Sequence, residues 1–179
     1  MRVFVSINWS EEVISSLEAW QTKLRESGVH GYWRAKNNLH LTLKFLGEVP
    51  GERIADIAAA MNKAAAGVDP FEVTLRELGV FPNRRQPRIL WIGVKSGPLL
   101  SLQDALEREL ETMGFEREHR DYRPHITLAS GGINGLSPAG WELGRQITVT
   151  EHVEAIELME SVVDREGRRY VPIVFTKLG

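Results

Sequence analysis

His40-Leu41-Thr42-Leu43 returns 85 residues later as His125-Ile126-Thr127-Leu128, and both copies lie where apolar and polar residues alternate as on a half-buried strand. Side chains two residues apart on a strand share a face, so each His stands beside its Thr, about 7 Å along the chain, while the aliphatic partners face a core. The chain therefore presents two His-Thr pairs. Two matched histidines in one small chain point to acid-base chemistry.

What leads up to the tetrapeptide is repeated as well, which reads as an internally duplicated architecture. Val3 to Asn8 (VFVSIN) and Leu90 to Lys95 (LWIGVK) are expected strands, and each runs into a helical stretch. There Val13, Ile14, Trp20 and Leu24 correspond, at an offset of 86, to Leu99, Leu100, Leu106 and Leu110, which predicts one apolar helix face in each half. Gly28 and Gly114 keep the offset and act as helix stops, since glycine takes the left-handed cap without a Cβ penalty. Gly51 to Ala66 reads as a further helix with Ile54, Ile57, Ala58 and Met61 inward. Phe71 to Leu78 reads as a strand joined to the next by the turn-rich FPNRRQPR. The chain closes on two strands, Val153 to Ser161 and Tyr170 to Lys177, around VDREGRR with Gly167 at the turn. Between them and the second motif, Ser130 to Thr150 is broken by Gly131, Gly132, Gly135, Pro138 and Gly140, and predicts a loop or short helix.

A chain of 179 residues can bury about 70% of the surface its unfolded form exposes. With no low-complexity linker between the halves, residues 1–179 read as one domain with two lobes. A formal net charge of -2 argues against broad coating of a nucleic-acid backbone, so any such contact is local and directed at an end. The absence of cysteine removes disulfides, thiol catalysis and thiolate metal sites. No targeting segment and no apolar run near the ~18 residues of a membrane span is read, so the expected location is cytoplasmic, away from membranes and with no obligate protein partner.

The paired motifs suit displacement at phosphorus, where attacking and leaving oxygens lie roughly in line: water needs a base on one side and the departing oxygen an acid on the other. Two facing imidazoles supply both, and the threonine hydroxyls can donate to the non-bridging oxygens where charge builds. No metal or cofactor is required when the leaving oxygen is strained, as in a 2',3'-cyclic phosphate. A metal site built from His40, His125 and a carboxylate is disfavoured, because HxT lacks the spacing of a second ligand and neither motif holds an acidic residue.

Four longer stretches, YWRAKNNLHLTLKFLGEVP, LGVFPNRRQPRILWIGV, YRPHITLAS and ELMESVVDREGRRYVPIVFTKL, together make the chain resemble the two-histidine phosphoesterases. Within them it is similar to the bacterial and archaeal RNA 2',3'-cyclic phosphodiesterases, also called 2'-5' RNA ligases. The resemblance implies an α+β, bilobal fold: two antiparallel sheets with outer helices about a pseudo-two-fold axis, and a central cleft holding His40, Thr42, His125 and Thr127. It implies metal-independent hydrolysis of an RNA terminal 2',3'-cyclic phosphate to a 2'-phosphate, with His40 as proton donor to the departing 3' oxygen and His125 as base for water. Ligation to a 2'-5' linkage would be the reverse. Two alternatives stay open: a non-catalytic RNA-end binder, or a phosphodiesterase acting on another small nucleotide such as a 2'-5' oligonucleotide or an ADP-ribose cyclic phosphate.

One position departs from the family. Its members commonly carry an arginine directly after the second HxTLx, and this chain has Ser130. Arg123, held extended by Pro124, and Lys44, read as pointing to the opposite strand face from His40, are the candidates to supply the missing charge. Tyr32 and Tyr122, each ahead of a motif, are candidates to stack a terminal base. His30, His119 and His152 read as surface histidines. Arg84, Arg85 and Arg88, with Arg165, Arg168 and Arg169, form two basic clusters in expected hairpin turns, where solvated charge is the ordinary reading.

Overall fold

The computed structural model describes residues 1–179 and contains two antiparallel sheets covered by four helices. The strands are β1 (Arg2–Ile7), β2 (His30–Trp33), β3 (Leu41–Glu48), β4 (Phe71–Phe81), β5 (Ile89–Lys95), β6 (His125–Asn134), β7 (Val149–Val153), β8 (Ala155–Asp164) and β9 (Gly167–Lys177). The helices are α1 (Glu11–Glu26), α2 (Ile54–Ala66), α3 (Gly97–Glu111) and α4 (Pro138–Arg145). One sheet has the order β3-β1-β8-β9 and the other β2-β6-β5-β4-β7. The expected α+β architecture of two antiparallel sheets is what the chain adopts.

The duplication survives in space but the halves are interlaced. β1 lies between β3 and β8, and its counterpart β5 lies between β6 and β4. Each sheet therefore takes two strands from the other half of the chain, β8 and β9 in one and β2 and β4 in the other. Helices are traded too: α1, from the first half, donates through Gln21 to β6, and α3, from the second, donates through Gln103 to β3.

α1 starts where Ser10 caps it, its hydroxyl accepting from the Val13 N–H, with Glu11 and Glu12 in the first turn favouring the positive end of the helix. Its buried face is Val13, Leu17, Gln21 and Leu24. That of α3 is Leu99, Leu102, Gln103, Leu106, Glu107 and Leu110. Leu100, expected on this face, is exposed, because it lies about 100° around the helix from Leu99. Ile14 and Trp20 pack only at the margin of the core. Gly28 and Gly114 both take positive φ, as their role in ending helices requires.

Several boundaries differ from expectation. β4 continues past Leu78 to Phe81 through a bulge at Glu77, which has φ 70. The segment 130–150 splits between the end of β6, the short helix α4 and the start of β7. β2 and β7 are edge strands of four and five residues, too short to leave a periodic signal.

Candidate functional site

His40 and His125 reach one cavity of about 1040 Å³ from different sheets, and Thr42 and Thr127 line the same cavity. Buried neighbours set the orientation. Leu39, Leu41 and Leu43 are within 3% of full burial, as are Ile126 and Leu128, so the alternate residues are forced to the open side.

Both strands are then interrupted at the residue after the threonine. β1 pairs Ser6 with Thr42 and Val5 with Lys44, skipping Leu43. β5 pairs Trp91 with Thr127 and Leu90 with Ala129, skipping Leu128. Each extra residue is a β-bulge whose carbonyl is held from behind by a buried glutamine: Gln103 Nε2 donates to Leu43 O at 3.4 Å, and Gln21 Nε2 to Leu128 O at 3.0 Å. Gln21 also donates to the Arg34 carbonyl at 2.9 Å.

These bulges decide where two candidate residues point. Lys44, four residues after His40, would return to the His40 face of a regular strand. The bulge turns it toward α3 instead, where its ammonium donates to Glu107 at 2.9 Å and to the Glu116 carbonyl at 2.7 Å. Lys44 does point away from His40, but because of the bulge rather than its spacing; it lines the cavity only at its α3 end, where its charge is consumed by a buried ion pair. Ser130, five residues after His125, is brought by the second bulge opposite Ile89, a cavity residue, yet Ser130 itself does not line the cavity.

The two imidazoles sit in matched aromatic settings. Phe4 stacks on His40 at 5.0 Å between centroids, and Tyr170 meets it edge-on at 5.1 Å. Phe81 meets His125 edge-on at 5.2 Å with Trp91 at 6.2 Å. By strand register Trp91 on β5 is the counterpart of Ser6 on β1, and Phe4 that of Ile89, which also lines the cavity. Gly79 makes room for Trp91, since a Cβ there would lie 2.1 Å from the indole. The His125 Nδ1 lies 2.7 Å from the Arg123 carbonyl; a carbonyl can only accept, so Nδ1 carries the proton and Nε2 is the free ring nitrogen. Burial, then the Arg34 guanidinium, push the pKa of His40 from 6.5 down to about 4, so its imidazole is neutral near pH 7 in the open cleft.

Of the remaining candidates, Arg123 lines the cavity beside His125. Tyr122 lines the cavity with its ring against the core, its hydroxyl donates to the Thr42 carbonyl at 2.8 Å, and burial raises its pKa. It ties the approach to β6 onto β3, one motif to the other. Tyr32 lies outside the cavity, its ring over Gly131. His30 and His152 are exposed, and His119 is exposed on the cavity rim. Neither basic cluster reaches the histidines: Arg84 stacks over Trp141 at 4.0 Å in a separate pocket against α4, Arg169 pairs with Asp164, and Arg168 donates to Ser161. Arg34, Phe81 and Tyr170 line the cavity without having been singled out by the sequence reading, although each falls in a stretch that carries the resemblance. No three His, Cys, Asp or Glu side chains gather in an arrangement able to hold a metal ion, and no helix is long and apolar enough to cross a membrane.

Residues 7–91 match the family model described as LigT-like phosphoesterase. The chain is 36% identical to the RNA 2',3'-cyclic phosphodiesterase of Thermotoga maritima over 79% of this chain and 74% of that one. It is 33% identical to the RNA 2',3'-cyclic phosphodiesterase of Aeropyrum pernix over 88% and 92%. Among solved structures it resembles TT0787 of Thermus thermophilus, with a TM-score of 0.80, 30% identity, and 99% and 98% of the two chains covered.

Proposed function

The chain belongs to the LigT-like phosphoesterases of the two-histidine superfamily, and from that premise we propose that its cleft hydrolyses RNA terminal 2',3'-cyclic phosphate to a 2'-phosphate without a metal. One observation carries the reading: two His-Thr pairs, delivered by separate sheets, line a single cavity. Water gives a proton to His125 Nε2 as its oxygen attacks phosphorus opposite the 3' oxygen. The bond from phosphorus to the 3' oxygen breaks, and that oxygen takes a proton from His40, leaving a 2'-phosphate and a free 3' hydroxyl. Thr42 and Thr127 donate to the non-bridging oxygens as charge builds on them. A ribose 5' hydroxyl in place of water gives a 2'-5' linkage by the same steps.

The electrostatics favour an anion. Of the cations lining the cavity, Lys44 is paired with Glu107 and Arg120 with Glu118, which leaves Arg34 and Arg123 against the single carboxylate of Asp121. The test is to incubate an RNA oligonucleotide ending in 2',3'-cyclic phosphate with the protein in excess chelator and analyse the end group. A 2'-phosphate is expected, with His40→Ala and His125→Ala each slower by at least ~100-fold. Near wild-type rates in both variants would refute the assignment. Tight binding of the RNA end with no turnover by the wild type would leave a binder instead.

A further inference from the structure

We propose that Arg34 is the phosphate anchor of the cleft, its guanidinium donating through Nε–H and Nη–H to the non-bridging oxygens of the substrate while the two histidines move protons. The inference rests on the function proposed above and names a residue that function does not require.

Arg34 follows directly on β2, and its backbone is held on both sides. Its N–H donates to the Leu128 carbonyl at 2.9 Å and its own carbonyl accepts from Gln21. It is therefore fixed beside the bulge that follows the second HxT motif. Two residues earlier Tyr32 pairs with Ser130, and the period of two directs the Arg34 side chain to the same side as Ser130 and its partner Ile89, the side of the cavity. Arg34 lines that cavity together with His40, Thr42, His125 and Thr127.

Its bonding is unfinished. Nε is buried and has no hydrogen-bond partner, and no carboxylate lies within 4.0 Å of the guanidinium. Buried donors are nearly always satisfied, and a buried Nε–H with no protein acceptor calls for an acceptor from elsewhere. Among ligands, an oxyanion with two oxygens on one face fits the planar fork of arginine, and a phosphate diester presents such a pair. Lys44 and Arg120, by contrast, are already neutralised by carboxylates. Arg34 also adds, after burial, to the lowering of the His40 pKa, which sets its charge near that imidazole.

The experiment uses inorganic phosphate as probe and turnover of a cyclic-phosphate RNA as a second readout. Calorimetric titration of phosphate into Arg34→Gln and Arg34→Ala should show affinity reduced about 10- to 100-fold, the range of a charge-assisted pair, with Arg34→Lys intermediate and KM for the RNA raised more than kcat is lowered. In the unmodified protein, the Arg34 Nε–H proton resonance should move as phosphate is added, a measurement independent of whether any variant folds. Wild-type phosphate affinity in folded Arg34→Gln, or an Arg34 Nε–H resonance indifferent to saturating phosphate, would overturn the proposal. The two readings separate cleanly: a wild type that binds phosphate through Arg34 but hydrolyses no cyclic phosphate retains this inference and loses the proposed function, and the converse result does the opposite.

Discussion

Acidification from pH 7.0 to pH 4.5 should destabilise the wild-type protein more than a His40→Asn variant, by an amount fixed by the cleft. An unfolded chain protonates His40 near 6.5, whereas the folded chain resists until about 4 because the ring lies beneath Phe4 and Tyr170 with Arg34 beside it. Between those values the unfolded state binds more protons, so the associated stability is complete above 6.5 and declines as pH falls toward 4. At about 1.4 kcal/mol per pKa unit the full gap is about 3 kcal/mol, of which about 2 kcal/mol is lost between pH 7.0 and 4.5. Urea unfolding of both proteins at both pH values measures it, and the carboxylates common to the two chains cancel in the comparison. The wild type should lose about 2 kcal/mol more than the variant. Equal losses, or a His40 resonance titrating near 6.5, would refute the reasoning.

Thr42→Val and Thr127→Val should each lower turnover of cyclic-phosphate RNA about 10- to 100-fold, less than loss of a histidine, because one hydrogen bond to a phosphoryl oxygen goes while proton transfer stays; a steady-state assay decides. Gln21→Leu strips a donor from both Arg34 O and Leu128 O at the bulge, and should cost about 1–3 kcal/mol in urea unfolding at pH 7. Because strands and helices are exchanged between the halves, we expect residues 1–179 to unfold as one domain, with equal calorimetric and van't Hoff enthalpies in a thermal scan; two separate transitions would show independent lobes.

The sequence carried the duplication because it is local. Two tetrapeptides, two glycine helix stops and two apolar strands can be laid over each other by eye, and they place the four motif side chains on the cavity. The bulges could not be read that way. Nothing in LTLKF or ITLAS distinguishes a regular strand from one that skips Leu43 or Leu128, since the glutamines holding those carbonyls lie 60 and 107 residues away in the chain. That is why Lys44 and Ser130 each end on the face a regular alternation would not give them. Tyr122 was legible as a neighbour of the second motif but not as a strut, because its acceptor, the Thr42 carbonyl, is 80 residues distant. Arg34 was hidden for a different reason: β2 is four residues long, and a charge at the end of HGYW reads as surface unless the strand is known to pair with β6.

The depressed pKa of His40 bears on how a pair of nearly symmetric motifs could take the unequal roles proposed for them. His125 has a carbonyl fixing its Nδ1 proton, and its free Nε2 suits a base. His40 has burial and a neighbouring cation, and both oppose protonation in the open cleft. In its proposed role as proton donor, His40 has to gain its proton together with the substrate. On the proposed mechanism, an anionic phosphate seated against Arg34 would offset the charge that repels the proton and set a negative group beside the imidazole, so the conditions that bind substrate would be those that arm the acid. A neutral ligand of the same shape would bring no such change. The arginine that lowers the pKa of His40 in the free protein would thereby make its protonation depend on the presence of a phosphate, coupling general-acid competence to occupancy at a cost that the binding of the anion itself offsets.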